Sequence, residues 1–161
     1  MKQRLYRFSM VTCVLITLNL SVLAIAGDEA PFKARSGGLI TNVGFDPAQN
    51  IVYLHQSGIG QATQLGRFAL DGNSEVLLAA GTTRTSLTLT AANGDQLFLR
   101  GDDGRGTGPT SAAGTLRVIG GTGRFEGATG SLQFVLTFAI APPTMEPNPY
   151  TDVIEGTISL K

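Results

Sequence analysis

Residues 131–140, SLQFVLTFAI, alternate Leu132, Phe134, Leu136, Phe138 and Ile140 with Ser131, Gln133, Val135, Thr137 and Ala139. A period of two sustained over such a run is that of a β-strand, with all five large side chains on one face. The closing residues 153–161, VIEGTISLK, repeat it, setting Ile154, Ile158 and Leu160 against Glu155, Thr157 and Ser159. Beyond residue 26 no stretch of a dozen residues keeps a helical apolar period free of glycine or proline. Further strands are expected near 38–43, 51–56, 63–70, 75–79, 85–91, 96–100 and 114–119. About eight to nine short strands separated by glycine-bearing turns specify an all-β sandwich or barrel. Closing the sheet removes its edges, which favours a single antiparallel β-barrel of about eight strands.

The chain opens MKQRLYRFSMVTCVLITLNLSVLAIA. Lys2, Arg4 and Arg7 precede an apolar stretch, and Ala24-Ile25-Ala26 has the small-x-small form of a signal-peptidase site. Residues 1–26 are therefore expected to be a signal peptide and 27–161 a single β-barrel domain. An uncleaved anchor is the alternative, and Asn19 and Ser21 count against it. The expected location is periplasmic or secreted, with no stable membrane insertion once the leader is removed. The only cysteine, Cys13, lies in the leader, so the domain must be held by its core without disulfides. The chain has 12 basic and 12 acidic residues. Loss of the three leader cations leaves a mildly acidic surface, so nucleic acid is not an expected partner. All 21 glycines lie beyond residue 26, a share roughly twice the usual 7% or so.

Five of those glycines fall within VIGGTGRFEGATG, residues 118–130. A dinucleotide fingerprint needs a helix after its glycines, and here a strand is expected next. A phosphate loop needs a lysine followed by serine or threonine, and a calcium roll needs an aspartate where Phe125 stands. The stretch instead suits a corner between strands, with Phe125 plugging the core and Arg124 and Glu126 facing away. Asn93-Gly94 marks a two-residue hairpin turn, whose register would pair Leu89 with Phe98 and set Thr88 and Thr90 beside Leu97 and Leu99. Residues 101–111, GDDGRGTGPTS, read as a polar loop. Residues 141–152 carry four of the seven prolines and read as a stiff surface crossing, with a flap over a barrel mouth as the functional alternative.

IGGTGRFEGATGSL (119–132), GQATQLGRFAL (60–70), TAANGDQLF (90–98) and GTISL (156–160) together resemble the allene oxide cyclase and dirigent barrel superfamily. They are most similar to bacterial exported proteins carrying that barrel-like domain. The resemblance spans roughly residues 36–161. It implies a calycin-type, eight-stranded antiparallel barrel, often a homotrimer in the characterised plant relatives. Cyclases of the family use a few polar side chains within a hydrophobic barrel. Those residues are not matched to positions of this sequence, so none is carried over and no catalytic residue is assigned.

The sole histidine, His55, cannot form a multi-histidine zinc site, and no cysteine is available to help it. It alternates with Ile51 and Tyr53, so it either points into the barrel as a base or is hydrogen-bonded along a strand. Asp102 and Asp103 lack the ligand spacing of a calcium loop. No metal site and no cofactor are expected. On the assumption that their face is interior, Tyr53, His55, Phe125, Phe134 and Phe138 are the expected lining of a barrel site. His55, Glu126 and Arg67 are the titratable groups considered for chemistry. Three functions fit this barrel. It could bind a small apolar molecule, act as a cofactor-free isomerase or cyclase, or serve as a structural or interaction protein with a filled core.

Overall fold

The computed structural model describes residues 29–141 and 147–161. The expected signal peptide and the middle of the proline-rich crossing lie outside these residues. Eight strands follow in order: β1 (Glu29–Asp46), β2 (Ile51–Ala62), β3 (Gly66–Leu77), β4 (Thr82–Ala91), β5 (Gln96–Gly108), β6 (Ser111–Gly121), β7 (Thr129–Phe138) and β8 (Asn148–Ser159). Each pairs antiparallel with its neighbours, and β8 returns to β1 to close the barrel. Alternation in β7 works as its sequence dictates: Leu132 is fully buried, Phe134, Leu136 and Phe138 follow it inward, and Val135 is exposed. Ile140 lies past the end of this strand and is exposed.

The strands expected near 63–70 and 75–79 are one strand, β3, with residues 63–65 forming the turn before it, and three further local features differ from the sequence reading. The β4–β5 loop has three residues rather than two: Ala91 N–H donates to Asp95 O at 2.8 Å, Gly94 N–H donates to Ala91 O at 2.9 Å, and Gly94 has φ +91°. The extra residue shifts the register by one, pairing Leu89 with Leu97 and Leu87 with Leu99. All four leucines thereby share the buried face, while Thr88 and Thr90 stand opposite Phe98 and Gln96. Residues 101–108 are not a loop but the second half of β5, carried past register shifts to pair with the start of β6. There Asp103 Oδ1 accepts the Thr115 N–H at 2.7 Å, and Asp102 Oδ2 meets Arg117 Nη2 at 3.1 Å. The two carboxylates tie down the irregular stretch. Finally, β8 starts at Asn148 rather than at Val153, since Pro149 sits second in the strand, where a missing N–H is tolerated.

One end of the barrel is closed by packed side chains, among them Phe32, Phe68, Leu97, Val118, Phe125 and Ile158. The glycine-rich stretch makes the corner there. β6 ends at Gly121, a 3-10 turn covers Gly123–Phe125, and the Phe125 side chain is wholly buried. Arg124 and Glu126 are exposed. Gly123 has φ +57°, and the space a Cβ would occupy is filled by the Asp95 carboxylate. Asp95 in turn is held by Asn93 Nδ2 at 2.9 Å and by Arg124 Nε at 3.7 Å. Gly123→Val should therefore destabilise the fold by about 2–3 kcal/mol, through left-handed strain and displacement of Asp95. A urea midpoint like that of the wild type would show that the corner relaxes freely.

Candidate functional site

The interior is not filled along its whole length. Facing positions near the ends of β5 and β6 are Gly104, Gly106, Gly108 and Ala112, which put almost no side-chain volume into the barrel. Phe134 and Phe138 of β7 reach across this space without filling it. The result is an inner cavity of about 80 Å³ that widens into a mouth of about 570 Å³. Its walls are mainly apolar, from Ile40, Leu54, Val76, Leu136 and the two phenylalanines.

A small polar cluster interrupts this wall. Ser36 of β1 stands directly opposite Asp152 of β8 in the ladder. Its N–H and its hydroxyl both donate to Asp152 Oδ1, at 3.1 and 2.5 Å. Asp152 is only 5% exposed and is the only buried carboxylate among the described residues. Burial pushes its carboxyl above the ordinary carboxylate value, and the two Ser36 hydrogen bonds oppose that shift in part. No described residue hydrogen-bonds Oδ2, and Asp152 lines the cavity. Gln56 of β2, also buried, lines the same wall. Ser74 and Thr85 share a hydrogen bond of 2.9 Å farther round it.

Tyr150 lies on the same face of β8, 3% exposed. Its ring reaches over β1 to Gly58 of β2, where a Cβ would stand 2.6 Å from the hydroxyl oxygen. Burial raises its phenol pKa, with a smaller contribution in the same direction from Asp152, while Gln56 and Ser36 nearby act to lower it. The hydroxyl still makes no hydrogen bond of good geometry. The hydroxyl is thus a buried donor without a partner among the described residues, held against Gly58 and outside the cavity lining.

Neither a family model nor a curated protein matches the sequence. Solved structures do. The pterocarpan synthase dirigent protein GePTS1 superposes with a TM-score of 0.55 over 90% of this chain and 99% of its own, at 12% identity. A second, PsPTS1, gives 0.52 over 83% and 94%, also at 12% identity. The chain has the dirigent-type barrel fold. The closed eight-stranded antiparallel barrel is the fold that the sequence resemblance implied.

Within this dirigent-type barrel the expected lining residues are dispersed. Phe134 and Phe138 do face the cavity. Tyr53 and His55 do not, because Leu54 and Gln56 take the inward positions of β2. Tyr53 lies in an outer depression with Asn73, Glu75 and Arg84. His55 Nδ1 is 3.3 Å from Asn73 Oδ1, and its Nε2 is 3.5 Å from Asp71 Oδ2, both on the outer wall. Phe125 plugs the opposite, closed end, and Glu126 and Arg67 are exposed. The residues missed were Ser36, Gln56, Tyr150 and Asp152. Extending the β8 period backwards from Ile158 and Ile154 would have reached Asp152 and Tyr150, but the prolines at 147 and 149 argued for ending the strand.

Proposed function

We propose that the barrel takes up a small, mainly apolar molecule through its open end and holds one polar group of it against Asp152. The observation that carries this is the Asp152 carboxyl itself. One of its oxygens is fixed by Ser36, the other is without a partner among the described residues, and the surrounding wall is largely hydrocarbon. A mouth of about 570 Å³ has the size of a small-molecule pocket. Asp152 also supports a second reading, cofactor-free acid–base catalysis on the bound molecule. A carboxyl displaced toward its neutral form by burial donates a proton more readily near neutral pH than an exposed one. The likeness to pterocarpan synthase dirigent proteins agrees with both readings. Export directed by the leader and assembly as a homotrimer complete the proposal. The open interior gives no support to a filled, purely structural barrel.

Gly106 provides the test. The nearest atom to a Cβ built there is Ser111 O at 3.9 Å, so a larger side chain fits the strand and projects into the mouth. Gly106→Phe should abolish saturable binding of an apolar fluorescent probe while leaving the denaturation midpoint close to that of the wild type. Undiminished probe binding by this variant would rule out the barrel mouth as the route.

A further inference from the structure

The outer wall of the barrel carries a second concave site. Two strand irregularities frame it: β1 shifts register between Asn42 and Gly44, and the β4–β5 ladder shifts between Thr83 and Thr85. Bulges of this kind bend a strand and re-aim its side chains. Between them lies a depression of about 650 Å³, with the bulged Val43 on one side. The ladder sets polar groups across it in two rows. Tyr53, Glu75 and Arg84 stand opposite one another on β2, β3 and β4. Two residues along, Asn73, Ser86 and Arg100 do the same on β3, β4 and β5. All six line the depression. From the spacing of strands and of alternate residues the grid spans roughly 14 by 7 Å, room for one or two sugar rings.

Its charges are only partly matched. Glu75 Oε2 is 3.8 Å from Arg84 Nη1, a loose pair. Arg100 stands opposite Arg117 across the β5–β6 ladder, and like charges so placed repel. Arg117 turns instead to Asp102 at 3.1 Å. Arg100, the Tyr53 hydroxyl and the Ser86 hydroxyl make no side-chain hydrogen bond or ion pair among the described residues. Two guanidinium groups thus face one carboxylate, a positive patch on a chain whose charges otherwise balance. On the β1 side the residue opposite Tyr53 is Gly44. A Cβ there would lie 3.7 Å from Tyr53 Cδ2, so the glycine leaves that side of the ring uncovered.

We propose that this depression binds an acidic saccharide, with a sugar ring against Tyr53 and a carboxylate between Arg84 and Arg100. The two arginines are diagonal neighbours on β4 and β5, within reach of one carboxylate. Asn73 and Ser86 meet the ring hydroxyls. Glu75 decides between an acidic sugar and a plain anion. Its carboxylate accepts from a hydroxyl and repels a ligand that offers only acceptors. The site opens on the other surface of the sheet from the cavity, and it does not rest on the reading of the barrel interior as an apolar-ligand site.

Calorimetric titration of the full chain tests this, with the disaccharides of glucuronate, galacturonate and mannuronate and the methyl ester of each. At least one free acid should bind saturably. Its ester, which keeps the ring and loses the charge, should bind about tenfold more weakly, the worth of a charge-assisted hydrogen bond. Arg100→Gln should weaken the free acid by a similar factor and leave the ester unchanged. Tyr53→Ala should weaken both, and Tyr53→Phe neither. Gly106→Phe, which fills the barrel mouth, should bind the saccharide as the wild type does. No saturable binding of any of the acids overturns the proposal. So does equal affinity for acid and ester, or an Arg100→Gln variant that binds the acid undiminished. Displacement of the saccharide by an equal concentration of inorganic phosphate would make the depression a simple anion site and overturn the sugar. Loss of binding in Gly106→Phe would put the sugar in the barrel and overturn the outer site.

Discussion

Phe125→Ala should cost the barrel about 3–5 kcal/mol, the range for truncating a buried aromatic side chain. That is a large fraction of the roughly 5–15 kcal/mol by which domains of this kind are stable. Phe125 is wholly buried, and Gly121 leaves room for it: a Cβ at 121 would come within 2.6 Å of the Phe125 Cβ. No neighbour can easily move into the gap, because the corner is pinned by Asp95 and by the turn bonds Phe125 N–H to Thr122 O and Ala128 N–H to Phe125 O. The loss would appear as a lower urea midpoint followed by far-ultraviolet circular dichroism, with Phe125→Leu recovering part of it. A cost below about 1 kcal/mol would mean that the closed end collapses around the gap, and that the ring is not the plug its burial indicates.

Asp152 variants should divide ligand binding from stability. Asp152→Ala removes the one buried carboxylate of the cavity and should weaken probe or ligand affinity by about tenfold to a hundredfold, the worth of a charge-assisted buried hydrogen bond. Asp152→Asn keeps an acceptor for Ser36 and should leave the fold intact. Its effect on stability depends on pH. The native carboxyl titrates above its ordinary value of 3.8 because it is buried. Between that value and its raised native one the folded state therefore holds more protons than the unfolded state, and stability falls as pH rises through the window. Asp152→Asn should remove this decline and leave the variant the more stable of the two above the window. Denaturation midpoints measured from acid to neutral pH would decide it. A wild-type midpoint that does not fall over that range, or an asparagine variant weaker at neutral pH, would contradict the burial argument.

The barrel was legible where its interior is plainly hydrophobic. In β7 the large residues alternate with small or polar ones, and only one assignment of faces is possible. The same holds for Ile154 and Ile158 in β8. The site was not legible, because there the interior is itself polar. In IVYLHQSG the two sets Ile51, Tyr53, His55 and Val52, Leu54, Gln56 are about equally apolar, so hydrophobicity cannot decide which set faces inward. The histidine drew attention outward, while the buried Gln56 looked like a surface residue. Asp152 was hidden by its neighbours in sequence, a carboxylate beside a proline-rich stretch being most often solvated. Local rules fail where function needs a polar group inside. The β4–β5 register failed for a smaller reason, one additional loop residue with glycine in the left-handed region, which reverses every facing assignment in a hairpin.

The hydrogen bonds between Ser36 and Asp152 link residues 116 apart in the chain. They lie on the seam where the first strand meets the last. Until β8 has been synthesised and has found β1, Asp152 has no serine to hold it and the cavity lacks part of its wall. A site built on Asp152 is thus complete only once the first and last strands have paired, however far the earlier hairpins have formed.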